Sequence, residues 1–366
     1  MMQRIAHLYW LQAIVTFINA GFVAILYVHF FKQHISIADF LLAEGLGCLA
    51  VAVYIALRKK VTTGRDIQAG FVIFGIGLAV LLFPFSRFLF FAYAIFRVLG
   101  VIMFYIPYNI VLFENHNKEK SLQTMTHYWI VGILSGIVGP LIGAYLFVHA
   151  GIFAFICIAL IVLFGGIMYS RIVENRVYPY TFSDLVKRTA TLRSIIMVDG
   201  ALHKVSAIIM IFALVYFNTE FTYGGFLSFV SFVALFFMTY IAKVSDKNKK
   251  RMEFIWPLSL LLAGITTLFG FFHTGLAFVT LTILLRIFSM LVEPLRSTIL
   301  LDSKGSDALN WISREFWLNI GRATIFLVSF VFLKINNPTL VFLFCASLHA
   351  LFPFLVHYKR IYALPH

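Results

Sequence analysis

Nine ionisable side chains lie inside long apolar stretches of this sequence, where a charge is costly unless it is paired or hydrated. Arginine holds a carboxylate or a phosphate through two parallel hydrogen bonds, and a carboxyl group that alternates between wet and dry surroundings can carry a proton. These residue types therefore indicate anion binding and proton exchange. The cations are Arg97, Lys204, Arg286, Arg314 and Arg322, and the acids are Glu44, Asp199, Glu293 and Glu315.

Depth within the apolar stretches sorts these charges into a basic centre and a mixed inner end. A basic centre suits an anionic substrate group. Ion pairs near one mouth suit a gate that forms and breaks, whereas permanent pairs that only hold helices together are the alternative interpretation. The central group is Arg97, Lys204, Arg286 and Arg322, the inner group is Asp199, Glu293, Arg314 and Glu315, and Glu44 lies in an outer half.

Polar stripes accompany the charges, and their spacing of three and four residues places each stripe on one helical face. Such a stripe must face protein or a water-filled cavity. We expect Gln12, Asn19, Tyr105, Tyr108 and Trp311 to surround a substrate. His203 could relay protons with Asp199 or act as a neutral hydrogen-bonding residue. The stripes are Gln12, Thr16 and Asn19; Asp199, His203 and Ser206; and Trp311, Glu315, Asn319 and Arg322.

Composition identifies the apolar stretches as membrane helices. The chain is 61% hydrophobic and 12% charged, with a mean hydropathy of +0.95, whereas soluble proteins carry about 25% charged residues. A spanning helix needs about 20 residues, so about twelve spans fit the 366 residues. The apolar runs do not alternate, which excludes an outer-membrane barrel. The sequence therefore predicts an all-α membrane protein.

The spans fall into two sets of six. Basic residues, Arg296 among them, concentrate on one side, which predicts that this side and both termini are cytoplasmic. The predicted domains are an N-terminal six-helix bundle over 1–171, a cytoplasmic linker over 172–193, whose segment 182–188 lies on the membrane surface, and a C-terminal six-helix bundle over 194–366. The spans are near 8–31, 37–57, 67–85, 87–113, 123–148, 151–171, 194–218, 222–243, 253–272, 275–299, 308–334 and 337–357.

The two halves also share a local layout, which indicates diverged copies of one unit. In each half an arginine in an apolar run precedes a proline, and a polar residue follows that proline at the same distance. The first copy is Arg97, Pro107 and His127, and the second is Arg286, Pro294 and Arg314.

Across its whole length this organisation resembles the major facilitator superfamily. The segment 139–144, with Gly139-Pro140 and Gly143-Ala144, resembles the helix 5 signature of the exporters and antiporters of that superfamily. Arg97 followed by Gly100 resembles its helix 4 arginine signature, and the segment 246–251 resembles a cytoplasmic loop signature. The resemblance implies twelve helices in two pseudo-symmetric bundles, alternating access, and a conformational latch at Asp246.

These observations predict a secondary transporter that exports a small amphipathic or anionic compound in exchange for protons. Uptake by proton symport and flipping of a lipid-linked anion are alternatives, as is a transport-inactive membrane sensor or scaffold. No nucleophile–base arrangement, cofactor loop or metal-ligand spacing is visible, so we expect no enzyme activity, cofactor or metal. The scattered basic residues argue against nucleic-acid binding. We expect a monomer in the lipid bilayer of the inner membrane.

Overall fold

The computed structural model describes residues 2–114, 121–248, 251–304 and 307–361, and these are almost entirely helical. A π-helical stretch over Ile18–Val23 joins the first two helices, and a 3-10 turn over Val80–Leu82 follows the fourth. The helices are α1 (Met2–Phe17), α2 (Ala24–Lys32), α3 (Ile37–Leu57), α4 (Thr63–Ala79), α5 (Arg87–Phe113), α6 (Ser121–Ser170), α7 (Phe182–Lys187), α8 (Arg193–Ala213), α9 (Glu220–Asn248), α10 (Arg251–Phe269), α11 (Gly275–Lys304), α12 (Ala308–Lys334) and α13 (Pro338–Tyr358).

Ten helical segments within these ranges are long and apolar enough to cross a membrane. One of them, His127–Ser170 in α6, has 44 residues, and Glu220–Leu235 in α9 is a shorter apolar helix. At Gly151 the backbone adopts φ +73°, which side chains other than glycine's rarely allow, so the helical geometry of α6 is interrupted there. The spans predicted over 123–148 and 151–171 meet at this residue.

A two-stranded antiparallel sheet, which the sequence does not predict, fastens the linker to the first half. β1 (Lys60–Thr62) lies between α3 and α4, and β2 (Val177–Pro179) lies in the linker. The hydroxyl of Tyr180 also donates to the carbonyl oxygen of Ile55 at 2.8 Å. Strands of three residues are too short to show the alternation by which a strand is recognised in sequence.

Helix α7 fastens the other end of the linker to the second half. Leu185 is 1% exposed, and its carbonyl oxygen accepts hydrogen bonds from the hydroxyl of Ser313 at 2.6 Å and the indole of Trp317 at 3.2 Å. The sequence predicts that this segment lies on the membrane surface. In the structure one of its faces packs on α12.

A capping box fixes the start of α7. The hydroxyl of Thr181 accepts from the backbone N–H of Asp184 at 3.3 Å, and the carboxylate of Asp184 accepts from the backbone N–H of Thr181 at 2.8 Å. These hydrogen bonds stabilise the ionised carboxylate and lower the pKa of Asp184. The short helix therefore has a defined beginning despite its length.

The starts and ends of the helices define two opposite ends of the molecule, and the position of the site is described relative to them. At the linker end α5 and α11 finish, and α6, α8 and α12 begin, beside the linker. At the opposite, far end α2 finishes and α9 begins. The two halves of the chain meet where α3 packs against α12 and where α6 packs against α9.

The small residues of α6 allow a close crossing with the first transmembrane segment. A Cβ atom on Gly21 would lie 2.5 Å from the carbonyl oxygen of Gly139. No real Cβ atom approaches that closely, so the backbones touch only because both positions are glycine. The segment 139–144 of α6 thus packs closely against the segment that carries Asn19.

Candidate functional site

A cavity of about 290 Å³ lies between the two halves of the chain. Helices α1, α5 and α6 line it from the first half, and α8, α11 and α12 line it from the second. The two walls differ in chemistry. Amide and tyrosine side chains such as Gln12 and Tyr105 come from the first half, and charged side chains such as Lys204 and Arg322 come from the second.

The cavity lies in the half of the molecule nearer the linker end. Its lining runs from Asn19 and Lys204, near the middle of their helical segments, to Phe113, where α5 ends. At the far end, Lys32 of α2 and Glu220 of α9 form an ion pair at 2.8 Å that joins the two halves. The two halves are therefore joined by an ion pair at the far end, and the cavity extends towards the linker end.

In the first half, Arg97 of α5 has partners on three other segments, although its Nε atom has no hydrogen-bond partner among the described residues. Its guanidinium forms a buried ion pair with Glu44 of α3, and it donates to the side-chain oxygen of Asn19 at 3.1 Å and to the hydroxyl of Tyr27 at 3.4 Å. Tyr27 in turn donates to Glu44. Arg97 and Glu44 lie outside the cavity lining. Because Arg97 and Glu44 lie on different helices, residue spacing along one helix cannot predict that they pair.

The polar stripe of α1 faces the cavity and is tied to its neighbours. Gln12 accepts a hydrogen bond from the hydroxyl of Tyr108 at 2.8 Å and donates to the carbonyl oxygen of Tyr128 at 2.9 Å. Thr16 and Ser135 of α6 share a hydrogen bond of 2.8 Å. Tyr108 therefore lies behind Gln12 and orients its amide, whereas Tyr128 itself lines the cavity.

In the second half, five charges form a row that alternates in sign. The order is Arg296, Asp199, Arg314, Glu315 and Arg322, with successive N–O distances of 3.1, 3.4, 3.3 and 3.3 Å. Strong charge-assisted hydrogen bonds are shorter, about 2.7–2.9 Å. Each acid is shared between two arginines, and cations stand at both ends. The row therefore carries a net positive charge that no single acid neutralises.

Histidine and aromatic side chains flank this row. The Nε2 atom of His203 is 3.4 Å from Oδ1 of Asp199, and its ring centre is 5.8 Å from that of Trp129 in α6. The ring of Trp311 stacks on Phe113 of α5 with a centroid distance of 4.8 Å. The guanidinium of Arg314 lies 5.4 Å from the centre of the Trp311 ring. Aromatic contacts thus link the charged row to the first half.

Lys204 of α8 has no ion pair or hydrogen bond with any residue in the part of the chain that the structure describes. It lines the cavity, and its ammonium lies 5.9 Å from the ring centre of Phe326, within cation–π reach. Among the groups that act on it electrostatically are Cys48, Arg322, Glu44 and Arg97. An unpaired ammonium in a cavity is available to the anionic group of a ligand.

The structure brings most of the predicted site residues to this one cavity. Arg286 and Glu293 lie outside it and act on each other along α11. The side chain of Asp246 lies outside the described part. The predicted residues that line the cavity are Gln12, Asn19, Tyr105, His203, Lys204, Trp311, Arg314, Glu315 and Arg322; those outside the lining are Glu44, Arg97, Tyr108, Asp199, Arg286 and Glu293.

Two buried residues near the site are absent from the sequence prediction. Arg296, which the sequence assigns to the basic loops, is 3% exposed inside α11 and pairs with Asp199. His349 of α13 is 1% exposed. The only signal in sequence is the spacing of Glu293 and Arg296, which puts them one turn apart on α11. Within the described ranges, no group of three or more histidine, cysteine or acidic side chains could hold a metal ion.

Comparison with known proteins places this geometry in a familiar architecture. No protein-family model matches the sequence, and no curated protein sequence matches it significantly. Solved structures do match. A POT family transporter in complex with a thioalcohol conjugated peptide superposes with a TM-score of 0.72 at 14% identity, over 98% of this chain and 97% of that one. The chain has a major facilitator fold.

Two further structures share this fold. A POT family transporter in complex with 5-aminolevulinic acid has a TM-score of 0.71 at 14% identity, over 97% of this chain and 96% of that one. The human organic anion transporter MFSD10 (TETRAN) has a TM-score of 0.61 at 12% identity, over 96% of this chain and 98% of that one. At these identities the likeness concerns the fold alone. It supports the architecture predicted from sequence at the level of a helical membrane-transporter fold.

Proposed function

We propose that this protein is a secondary active transporter that works by alternating access. The observation that carries this proposal is the cavity, which both halves line and an ion pair between Lys32 and Glu220 closes at the far end. Breaking that pair and closing the linker end would expose the same site to the opposite side. In this proposal twelve crossings, with α6 crossing twice around Gly151, form two six-helix bundles in the inner membrane, with both termini cytoplasmic.

The substrate that fits this cavity is a small anionic or amphipathic organic compound. Lys204 and Arg322 offer positive charge, and Tyr105, Tyr128 and Trp311 offer aromatic surface. Ligand cavities of drug-sized compounds run about 300–1,000 Å³, so a cavity of about 290 Å³ favours a small molecule. The fold neighbours include an organic anion transporter and a complex with 5-aminolevulinic acid, which agrees in chemical class.

Proton coupling follows from the sharing of Glu315 between two arginines. Its carboxylate contacts Arg314 and Arg322 at 3.3 Å each, and all three side chains line the cavity. Protonation would remove the negative charge and release both guanidinium groups. We assign Glu315 and Asp199 to proton exchange and the Arg314 contacts to the gate. Asp246 is the proposed latch on the cytoplasmic side.

Export by proton antiport and uptake by proton symport each have one observation in favour. The α6 segment around Gly139 and Pro140, which packs on Gly21, resembles the exporter signature and favours export. The contact of Glu315 with Arg322 favours symport, because a proton on Glu315 frees Arg322 for the substrate anion. Proton and anion would then strengthen each other's binding by the same factor. Antiport and symport can therefore be distinguished by whether a bound proton weakens or strengthens binding of the substrate anion.

Transport in proteoliposomes tests the proposal. Purified protein is reconstituted with an internal pH indicator, and small organic anions are added on one side. We expect substrate-dependent proton movement, saturable with anion concentration and abolished in Arg322→Met. The matched control is Arg193→Met, since Arg193 lies over the ring of Trp317 and outside the cavity lining. Protein that binds an anion but moves neither anion nor proton would show a sensor or scaffold instead.

A further inference from the structure

A second group of buried polar side chains lies behind the cavity, around Arg296 of α11. Its Nε atom is 3.1 Å from Oδ1 of Asp199, and its guanidinium lies 5.8 Å from the ring centre of Phe352. The charge of Arg296 also acts on Glu293 of the same helix and on His349 of α13. We call Asp199, Glu293, Arg296 and His349 the Arg296 cluster; none of the four lines the cavity.

Polar atoms without hydrogen-bond partners concentrate in the Arg296 cluster. Among the described residues, Oε2 of Glu293 and both ring nitrogens of His349 have no partner. Nε of Arg296 and Oδ1 of Asp199 lie at ion-pair distance without forming an aligned hydrogen bond. Glu293 is 4% exposed and His349 is 1% exposed. Native proteins leave few buried polar atoms unsatisfied, so this concentration calls for bound water, a bound proton or both.

The charged groups that act on Glu293 come from two elements. Arg286 and Arg296 act from its own helix, and Asp199 acts from α8. On α13, His349 faces Arg296. Helices α6, α9 and α10 also pack against α11, and no charge from their described parts is among those acting on Glu293. Glu293 therefore sits among two cations and one competing acid, without a direct ion pair of its own.

We propose that the Arg296 cluster is a hydrated proton-binding site, separate from the cavity, at which Glu293 is the carboxyl group that takes up the proton. An O–H bond forms at the Glu293 carboxylate as hydronium gives up a proton and becomes water. The neutral acid then has a hydrogen-bond donor where the carboxylate had an unpartnered oxygen. His349 supplies ring nitrogens that can hold the accompanying water.

The Arg296 cluster is connected to the cavity through one acid. Asp199 is shared between Arg296, at 3.1 Å, and Arg314, at 3.4 Å, and Arg314 lines the cavity. When Glu293 becomes neutral, Arg296 keeps Asp199 as its remaining acid and holds it more strongly. Arg314 is then less restrained and free to meet an anion in the cavity. That the bound proton is the coupling proton rests on the proposed transport function; that the site binds a proton does not.

Infrared difference spectroscopy tests the site directly. The purified wild-type protein, titrated from alkaline to acidic buffer, is expected to show a carboxyl C=O stretching band from each buried acid that becomes neutral. We expect Glu293→Gln to lose one band that Glu315→Gln retains. Glu315 is the matched control because it is 3% exposed, against 4% for Glu293, but contacts Arg314 and Arg322. A spectrum in which Glu293→Gln loses no band, or loses only a band that Glu315→Gln also loses, would overturn the proposal.

Hydroxyl-radical footprinting detects water in the Arg296 cluster of the wild-type protein and therefore needs no variant. X-ray pulses generate radicals from water, including water trapped inside proteins. We expect oxidation of His349 without oxidation of Cys345, which lies one turn away on α13 and is also 1% exposed. Cysteine reacts faster than histidine, so general exposure would label Cys345 first. Oxidation of Cys345 alone, or of neither residue, would contradict a hydrated cluster.

Transport measurements separate this proposal from the proposed function. If the protein is a proton-coupled transporter, Glu293→Gln should lose uphill transport driven by a proton gradient and retain exchange of anion for anion. An infrared band assigned to Glu293 in a protein without transport would leave the proton site standing and refute the transport function. Proton-driven transport that is unchanged in Glu293→Gln would show that this cluster does not carry the coupling proton.

Discussion

The two halves of the molecule use buried charge differently. In the first half, Arg97 and Glu44 face each other, and Tyr27 and Asn19 also form hydrogen bonds with this pair. In the second half, five charges share their partners at 3.1–3.4 Å, and Lys204 has no ion pair or hydrogen bond with a described residue. A closed pair holds helices in place, whereas shared and unpaired charges can exchange partners with protons or ligands. If the protein works by the proposed mechanism, we expect partners to be exchanged at the charges of the second half, while the Arg97–Glu44 pair of the first half stays intact.

The largest expected effect is loss of stability on breaking the pair of the first half. Glu44→Gln leaves the buried guanidinium of Arg97 uncompensated, and removing one partner of a buried pair costs about 3–5 kcal/mol. The double variant Glu44→Leu/Arg97→Met should recover most of the loss, since no charge remains. Denaturant unfolding in detergent measures all three proteins. If Glu44→Gln were as stable as the wild type, the Arg97–Glu44 pair would not hold the helices of the first half in place.

Substrate affinity should depend most on Lys204. Replacing it in Lys204→Met removes a hydrogen bond to a charged group, which is worth about 1.5–3 kcal/mol, so anion affinity should fall about 10–100-fold. Stability should not fall, because no described ion pair is broken. Isothermal titration with the anion that stabilises the wild type measures the affinity. Arg193→Met is the control and should bind with near wild-type affinity, because Arg193 lies over the ring of Trp317 and outside the cavity lining.

Neutralising a shared acid should strengthen anion binding. In Glu315→Gln, Arg322 keeps its contact with Asn319 at 3.2 Å, and Arg314 keeps Asp199, so less stability is lost than in Glu44→Gln. One released charge-assisted contact is worth about 1.4 kcal/mol, which corresponds to about tenfold higher affinity. The wild type should approach this affinity in acidic buffer. Weaker binding by Glu315→Gln would refute competition between the acid and the substrate, and with it symport.

The smallest effect concerns the aromatic contact between the halves. Phe113→Leu removes the stacking on Trp311, and such a pair is worth about 0.5–1.5 kcal/mol. The linker end should open more often, so a cysteine placed at Asn109 in a background without the native cysteines should be labelled a few times faster. Phe88→Leu is the control on the same helix, since Phe88 is 78% exposed. Equal labelling rates would show that this stack does not hold the halves together.

Much of the fold and part of the site could be predicted from local sequence. Runs of about 20 apolar residues define spanning helices wherever they occur. Helical spacing put Gln12 and Asn19, and likewise Trp311 and Arg322, on faces that line the cavity. Arg296 was misassigned for a physical reason, since a cation near the end of an apolar run has the same local sequence whether it lies in a loop or is buried.

Sequence alone established that the chain forms apolar helices and that the charged groups within them must be enclosed by protein, because length, hydropathy and helical period are properties of neighbouring residues. Tertiary structure alone decided which acid meets which base: Glu44 rather than an acid of its own helix for Arg97, and Asp199 between Arg296 and Arg314. It also decided that β1 and β2 pair across the linker. These contacts join segments far apart in the chain, and their geometry arises only when the helices pack.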